Sequence, residues 1–145
     1  MSKVNTYLNF QGTTEEAFTF YAAVFGTDFH GPTTRFRDAP AGPGMPDLSD
    51  DEKEKILHIE LPILGGHLIM GTDMLKSMGQ EIRIGNNTTI NLEFDRRDEA
   101  DAYYSQLSEG GSDSTGMIET PFGYWGCSLD RFGIRWMFLV SETSE

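Results

Sequence analysis

The chain has 145 residues, of which 38% are hydrophobic, and a formal net charge of −12. This length predicts one domain, and no apolar run approaches the roughly 20 residues that a membrane-spanning helix needs. Nucleic acids and anionic membranes are disfavoured as partners, because both are bound through Lys and Arg. The single cysteine, Cys127, excludes an internal disulfide, and the N-terminus has no apolar signal segment. Both features favour a cytoplasmic location.

The first 26 residues predict a strand and a helix. Lys3–Phe10 alternates in the manner of a strand. A helix follows, with Thr13 as its N-cap residue and Glu16 positioned to complete a capping box. Gly26 ends this helix. The inward face of the helix has four residues at helical spacing, which are Ala17, Phe20, Tyr21 and Val24.

A strand, a long loop and a hairpin complete the first half of the chain. Pro32–Arg37 predicts a strand. Asp38–Glu54 is rich in proline, glycine and acidic residues, which predicts a mobile surface loop. A loop of this length is a candidate cover for a pocket. Lys55–Ile63 and His67–Asp73 are predicted strands, and the glycine pair between them predicts a hairpin.

The second half of the chain predicts the same order of elements. A connector at residues 74–86 leads into the strand Thr88–Phe94. The next helix is Asp98–Glu109, with Ala102, Tyr103 and Leu107 on its inward face. Three further strands are predicted at Ser114–Glu119, Phe122–Asp130 and Ile134–Val140.

An internal repeat relates the two halves. The strand that contains Leu8 aligns with the strand that contains Leu92 at an offset of 84 residues, and Gly66–Met70 aligns with Gly133–Met137 at an offset of 67. The difference of 17 equals the length of the inserted loop 38–54. We therefore predict an α+β fold of two βαβββ modules, whose curved, largely antiparallel half-barrel sheets surround a cavity. The modules span about 3–73 and 87–141, joined by the linker 74–86.

Three segments carry a resemblance to a known superfamily. They are Tyr7–Tyr21 (YLNFQGTTEEAFTFY), Ile56–Asp73 (ILHIELPILGGHLIMGTD) and Pro121–Val140 (PFGYWGCSLDRFGIRWMFLV). With the βαβββ order, they resemble the vicinal oxygen chelate superfamily of glyoxalase I, extradiol dioxygenases, and bleomycin- and fosfomycin-resistance proteins. Within it, the chain is similar to the PhnB-like subgroup, sometimes labelled as demethylubiquinone methyltransferase-like. The resemblance implies a homodimer whose two chains complete the cavities.

The methyltransferase label has no support in the residues. A methyl donor or a dinucleotide is commonly held at a glycine-rich turn that follows a strand, and the chain has no such Rossmann-type turn. The sequence also lacks a P-loop, a CxxC motif and an HExxH motif. The resemblance therefore predicts the fold more sharply than it predicts the chemistry.

Metal-using members of the superfamily take their ligands from the first and last strand of each module. The corresponding positions in this chain are Thr6, Met70, Thr89 and Met137. Two hydroxyls and two thioethers do not suit a divalent ion that prefers carboxylate oxygen or imidazole nitrogen. A shift of register would substitute Asn5, Tyr7 or Asn91. We therefore expect no metal ion and no other cofactor at these positions.

A different metal site is the alternative. His58 and Glu60 leave the same face of one strand, and Glu93 lies on a strand of the second module. If these faces meet, the three side chains would form a site for a divalent metal ion. The competing interpretation is that His58 is a partly buried, hydrogen-bonded histidine with structural acidic partners. His30 and His67 flank turns, so we expect both to be solvent-exposed.

Aromatic residues are dense near the end of the chain, which is typical of a pocket for a small organic molecule. Phe138 and Trp136 are expected in the core. Arg135 is expected to pair with Glu93 or with a ligand carboxylate or phosphonate. Cys127 has no basic neighbour in the sequence, so we expect it to be inert. The candidate ligand-binding residues are Tyr7, Asn9, His58, Glu60, Asn91, Glu93, Tyr124, Trp125 and Arg135.

These observations favour a cytoplasmic protein that binds a small organic molecule without the superfamily's metal site. The alternative function is a metal-dependent lyase, isomerase or dioxygenase that uses His58 and nearby carboxylates. A third interpretation is a protein-interaction module based on the loop Asp38–Glu54. The sequence does not identify the ligand or a pathway.

Overall fold

The structure is a computed structural model that describes residues 1–39, 42–44 and 46–141. The chain divides into two compact units, with unit 1 spanning Met1–Arg83 and unit 2 beginning at Ile84. This boundary falls inside the predicted linker 74–86. Residues 40, 41 and 45 of the predicted loop, and the tail 142–145, lie outside the described residues.

Unit 1 contains one four-stranded sheet in the strand order β1-β4-β3-β2. Strand β1 runs parallel to β4, and the other neighbours are antiparallel. The elements are β1 (Thr6–Phe10), α1 (Thr14–Phe25), β2 (Thr34–Arg35), α2 (Asp50–Lys53), β3 (Ile56–Pro62) and β4 (Leu68–Asp73).

Unit 2 repeats this plan in the strand order β5-β8-β7-β6, again with its first and last strands parallel. Its elements are β5 (Ile90–Phe94), α3 (Arg97–Ser108), β6 (Ile118–Thr120), β7 (Gly123–Leu129) and β8 (Arg135–Val140). The predicted α+β fold with two βαβββ modules is therefore confirmed. In the part of the chain that the structure describes, no helix is both long and apolar enough to span a membrane.

Helix α1 packs against one face of the sheet of unit 1. Its residue Phe18 is fully buried and lies edge-on to Phe10 of β1, with 6.1 Å between the ring centroids. Gly71 of β4 makes room for this ring, because a Cβ atom added there would lie 2.5 Å from Phe18 Cε1. The predicted inward position of Phe20 is wrong, since Phe20 is only half-buried. The helix spacing is right, but its buried face is rotated toward Phe18.

The N-terminus of α1 is capped by a distant carboxylate. Thr13 occupies the N-cap position, but its side chain makes no capping hydrogen bond, so the predicted capping box is wrong. Asp73, the last residue of β4, accepts hydrogen bonds from the backbone N–H groups of Gly12 (2.9 Å) and Thr14 (3.1 Å). It also accepts one from the Thr14 hydroxyl (2.7 Å). The helix start is thus fixed by the sheet.

Helix α3 packs against the sheet of unit 2 through aromatic side chains. The Tyr103 ring lies 5.1 Å from Phe94, and the Tyr104 ring lies 5.3 Å from Phe138. Phe138 and Trp136 are fully buried, which confirms their predicted core positions. The predicted inward position of Ala102 is wrong, since this residue is exposed.

The predicted long loop contains a short helix. Ser49 caps α2, accepting a hydrogen bond from the backbone N–H of Glu52 at 3.1 Å in a reciprocal capping box. The predicted strand Pro32–Arg37 is reduced to the two residues of β2. The strand predicted at Ser114–Glu119 is shorter and lies later in the chain, as β6. The register of β2 with β3 shifts between Thr34 and Arg35, and a 3-10 turn at Phe36–Asp38 follows β2.

Candidate functional site

Each sheet has its helix on one side, so that alternate strand residues lie on the opposite side, here called the helix-free face. In unit 1, Leu8 and Phe10 of β1 are buried towards α1, whereas Tyr7 and Asn9 are exposed. In unit 2, the odd-numbered residues of β8 are half-buried, and the even-numbered ones are buried towards α3. The helix-free faces hold most of the predicted ligand-binding residues, which are Tyr7, Asn9, His58, Glu60, Asn91, Glu93, Trp125 and Arg135.

On the helix-free face of unit 1, polar groups surround one thioether. The strand register pairs Tyr7 with Met70, and it pairs Met70 with Glu60 on the other side. The Tyr7 ring, which is 49% exposed, lies 6.1 Å from the His58 ring. The predicted candidates Tyr7, His58 and Glu60 therefore lie together.

Glu60 connects two histidines. Its carboxylate oxygens lie 2.9 Å from His58 Nε2 and 2.8 Å from His30 Nδ1. These hydrogen bonds, first from His58 and then from His30, hold the pKa of the Glu60 carboxyl below its ordinary value. An ionised carboxylate only accepts, so each of these ring nitrogens carries a hydrogen. The structure thus agrees with the interpretation of His58 as a hydrogen-bonded histidine.

The expected exposure of the other two histidines is partly wrong. His30 is exposed, but it is bound to Glu60 through both its ring and its backbone N–H, which donates to the Glu60 carbonyl at 2.9 Å. His67 is half-buried, with Nε2 at 2.8 Å from the Thr6 hydroxyl. Sequence reasoning missed the His30 contact because it joins positions 30 residues apart.

The helix-free face of unit 2 is more apolar. The register places Trp125 beside Leu139 and Cys127 beside Met137, and all four side chains are half-buried. Asn91 lies on the other side of Met137 and donates to Glu93 at 3.4 Å. The strands thus present a row of large apolar side chains with polar groups at its edge.

Tyr124 is not part of this face. Its hydroxyl donates to Asp101 of α3 at 2.6 Å, and the Arg97 guanidinium lies 4.5 Å from its ring centroid. The Asp101 carboxylate is the largest cause of a raised Tyr124 pKa. Successive residues of a strand point to opposite sides, so the joint prediction of Tyr124 and Trp125 for one pocket is wrong for Tyr124.

Arg135 pairs with Asp113, and the predicted pair with Glu93 is wrong. Its Nη2 donates to Asp113 Oδ2 at 3.2 Å and to the Gly85 carbonyl at 3.4 Å. The Arg135 side chain is 15% exposed, and its Nε is buried without a hydrogen-bond partner. The sequence gives no signal for the Asp113 contact, because a loop residue supplies it.

Cys127 has little thiolate character. Burial raises the pKa of its thiol, and the positive charge of Arg135 only partly opposes this. A thiol is nucleophilic as its thiolate, so the raised pKa agrees with the expected inert cysteine.

The strand positions predicted to correspond to the superfamily's metal ligands carry side chains that do not suit a divalent ion. Met70 lies next to Tyr7 in the strand register and Met137 lies next to Asn91, so the predicted shift of register from Thr6 and Thr89 brings these neighbours into the set. A phenol, an amide and two thioethers are poor donors for a hard or borderline ion. Within residues 1–39, 42–44 and 46–141, no three His, Cys, Asp or Glu side chains form a group that could hold a metal ion. The alternative set draws His58 and Glu60 from unit 1 and Glu93 from unit 2, and it stays a prediction.

Sequence reasoning also missed two surface pockets away from these faces. One, of about 420 Å³, lies in unit 1 and is lined by charged residues that include Glu15, Arg35, Arg37, Glu54 and Lys55. The other, of about 290 Å³, lies in unit 2 and is formed by the loops at Gly110–Ser112 and Arg131–Gly133. In the first pocket, Arg35 pairs with Glu15 and Arg37 pairs with Glu54, so its charges largely neutralise each other.

Two four-stranded sheets, each built in the order βαβββ, give the chain the fold of the vicinal oxygen chelate superfamily of glyoxalase and bleomycin-resistance proteins. The model of a family described as 3-demethylubiquinone-9 3-methyltransferase matches residues 2–139. The chain belongs to this family. No curated protein sequence matches the chain.

Solved structures agree with this assignment. A protein from Pseudomonas aeruginosa is 27% identical, with a TM-score of 0.82 over 99% of this chain and 100% of that one. The PhnB protein from Bacillus cereus, described as a putative 3-demethylubiquinone-9 3-methyltransferase, is 20% identical, with a TM-score of 0.74 over 97% and 100%. The fosfomycin resistance protein FosX from Listeria monocytogenes is 9% identical, with a TM-score of 0.65 over 97% and 94%. The last two likenesses show the fold alone.

Proposed function

We propose that the protein binds a small organic molecule on the helix-free face of unit 2. The observation that carries this proposal is the row of half-buried apolar side chains formed by Trp125, Leu139 and Met137. Ligand sites are lined mainly by apolar and aromatic groups, with a few polar groups that fix orientation. Asn91 and Arg135 supply such polar groups at the edge of the row.

In this proposal the ligand is bound without a metal ion or another cofactor. The support is chemical, because the strand positions predicted to correspond to the superfamily's metal ligands carry the side chains of Tyr7, Met70, Asn91 and Met137, which suit a divalent ion poorly. Methyl transfer, the activity in the family's description, is not part of the proposal. The chain has no glycine-rich turn for a methyl donor.

The test is a calorimetric titration of the protein with 2-naphthamide, a neutral aromatic probe. We expect saturable binding, which Trp125→Ala weakens by about two- to tenfold through loss of a ring contact. Phe29→Ala is the matched control, since it removes an exposed aromatic ring from unit 1 and leaves this face intact. Absence of binding, or an equal loss in both variants, contradicts the proposal. Addition of EDTA or of Mn²⁺ and Ni²⁺ leaves the affinity unchanged if the site needs no metal.

We also propose that the protein is a cytoplasmic homodimer. The cytoplasmic location rests on the single cysteine of the sequence. The homodimer is supported by an exposed apolar edge in unit 2, where Phe122 is 83% exposed and Ile118 is 46% exposed. Edge strands such as β6 have unpaired backbone groups that can associate with another chain.

A further inference from the structure

We infer that the ligand of the helix-free face of unit 2 is an apolar oxyanion, a carboxylate or a phosphonate, bound by Nε and Nη2 of Arg135. This inference rests on the proposed function and narrows it to one chemical class. Asp113 pairs with Nη2 of Arg135, and the oxyanion displaces it on binding.

The first observation is an unsatisfied donor. Arg135 Nε is buried and has no hydrogen-bond partner in the described part of the chain. A buried donor without a partner is costly, and one on a charged group is more costly than on a neutral one. The side chain as a whole is mostly buried, so that bulk water satisfies this N–H poorly. An acceptor brought by a ligand removes this cost.

The second observation is the weak hold of Asp113 on the same guanidinium. Its carboxylate lies 3.2 Å from Nη2, which is long for a charge-assisted bond, and it does not reach Nε. The Asp113 side chain is 61% exposed. In the described residues it is the only non-glycine residue with a positive φ, at 52°. Such a backbone conformation is strained, and strain of this kind is common at ligand sites.

The third observation is the planar geometry of the Arg135 guanidinium. Nε and Nη2 lie on one edge of the planar group and match the two oxygens of a carboxylate or phosphonate. Arg135 lies beside Leu129 in the register, and Met137 is two residues along the same face. An oxyanion held at this edge therefore has apolar side chains next to it for its organic part.

The test compares three probes that share one ring system, by calorimetry on the full chain. They are 2-naphthoate, 2-naphthylphosphonate and the neutral 2-naphthamide. We expect at least one of the two anions to bind about tenfold or more tightly than the amide, because each charge-assisted hydrogen bond adds to affinity. The ratio between the two anions distinguishes a carboxylate from a phosphonate ligand.

Two variants locate the effect at Arg135. Arg135→Gln should remove the preference for the anion, so that the anion and the amide bind this variant with about equal affinity. Arg135→Lys keeps the charge but not the planar edge, so its affinity for the anion should lie between those of the wild type and Arg135→Gln. This variant replaces Arg135→Gln in the test if the latter does not fold. Asp113→Asn should tighten binding of the anion by about two- to fivefold, since it weakens an exposed competing ion pair. A purely structural Arg135 predicts no such gain.

Asp95→Asn is the matched control, because it removes the same charge from another exposed position of unit 2. It should leave all three affinities unchanged. Equal binding of the anions and the amide overturns the inference while the proposed function stands. Failure of all three probes contradicts the proposed function itself. Weaker anion binding in Asp113→Asn also overturns the inference, since Asp113 would then support the site.

Discussion

A single carboxylate fixes three segments of unit 1. Asp73 is 2% exposed, and it accepts hydrogen bonds from the start of α1 and, at 2.9 Å, from the backbone N–H of Ile56. The bonds at the helix start come from Gly12 and Thr14. Asp73 therefore accepts four hydrogen bonds in all, and it lies at the positive end of the α1 dipole.

The first prediction is that Asp73→Asn destabilises the protein by roughly 1–3 kcal/mol. One carboxylate oxygen becomes an NH₂ group, which cannot accept, so that at least one buried N–H donor loses its partner. The measurement is the free energy of unfolding in urea. Asp28→Asn, an exposed aspartate of the same unit, should change it by less than about 0.5 kcal/mol. Equal stability of the two variants would show that Asp73 is not a structural link.

At the scale of elements, the sequence predicts periodicity better than it predicts contacts. Helices α1 and α3 follow from the spacing of apolar residues, because burial of one face fixes the period. The hairpin of β3 and β4 follows from the glycine pair between these strands. The capping box at Thr13 fails because a residue 59 positions from Thr14, Asp73, competes for the same backbone groups. The Asp113 partner of Arg135 was missed for a similar reason. Local patterns contain no information on which loop residue reaches a strand.

The packing of α1 on β4 gives the second prediction. A Cβ atom at Gly71 would lie 2.5 Å from Phe18 Cε1 and 3.2 Å from Thr14 Cγ2. Because Phe18 is fully buried, the ring has no room to move away, and Gly71→Ala should cost roughly 1–3 kcal/mol by overpacking. The measurement is the free energy of unfolding of Gly71→Ala, Phe18→Leu and the double variant by chemical denaturation. In the double variant, the smaller leucine side chain should recover part of the stability that Gly71→Ala loses. Gly85→Ala is the control, since its nearest atom is 3.4 Å away.

A double-mutant cycle without coupling would contradict the contact. In that case the two substitutions would add independently, and α1 would be positioned by other residues.

At the scale of the whole molecule, the internal repeat allowed the fold to be predicted from the sequence. The candidate site could be predicted only in part. The offsets of 84 and 67 residues define two copies of one unit, and the structure contains one βαβββ unit on each side of Arg83. The predicted candidates Tyr7, His58 and Glu60 lie together on the helix-free face of unit 1. The prediction placed Tyr124 wrongly because it grouped Tyr124 with Trp125, and successive residues of a strand point to opposite sides. Function is harder to predict, since one fold serves many chemistries.

The proposed homodimer gives the last prediction. Phe122 lies in the turn before β7, next to the edge strand β6, and is the most exposed of the aromatic side chains in the described part of unit 2. If this edge associates with a second chain, burial of the Phe122 ring contributes strongly to the free energy of dimerisation. Phe122→Ser should therefore raise the dimer dissociation constant by about tenfold. Sedimentation equilibrium over a range of protein concentrations measures this dissociation constant. Phe29→Ser removes an exposed ring from unit 1 and should leave it unchanged. A wild-type protein that sediments as a monomer at all concentrations refutes the dimer, and an unchanged constant in Phe122→Ser moves the interface away from β6.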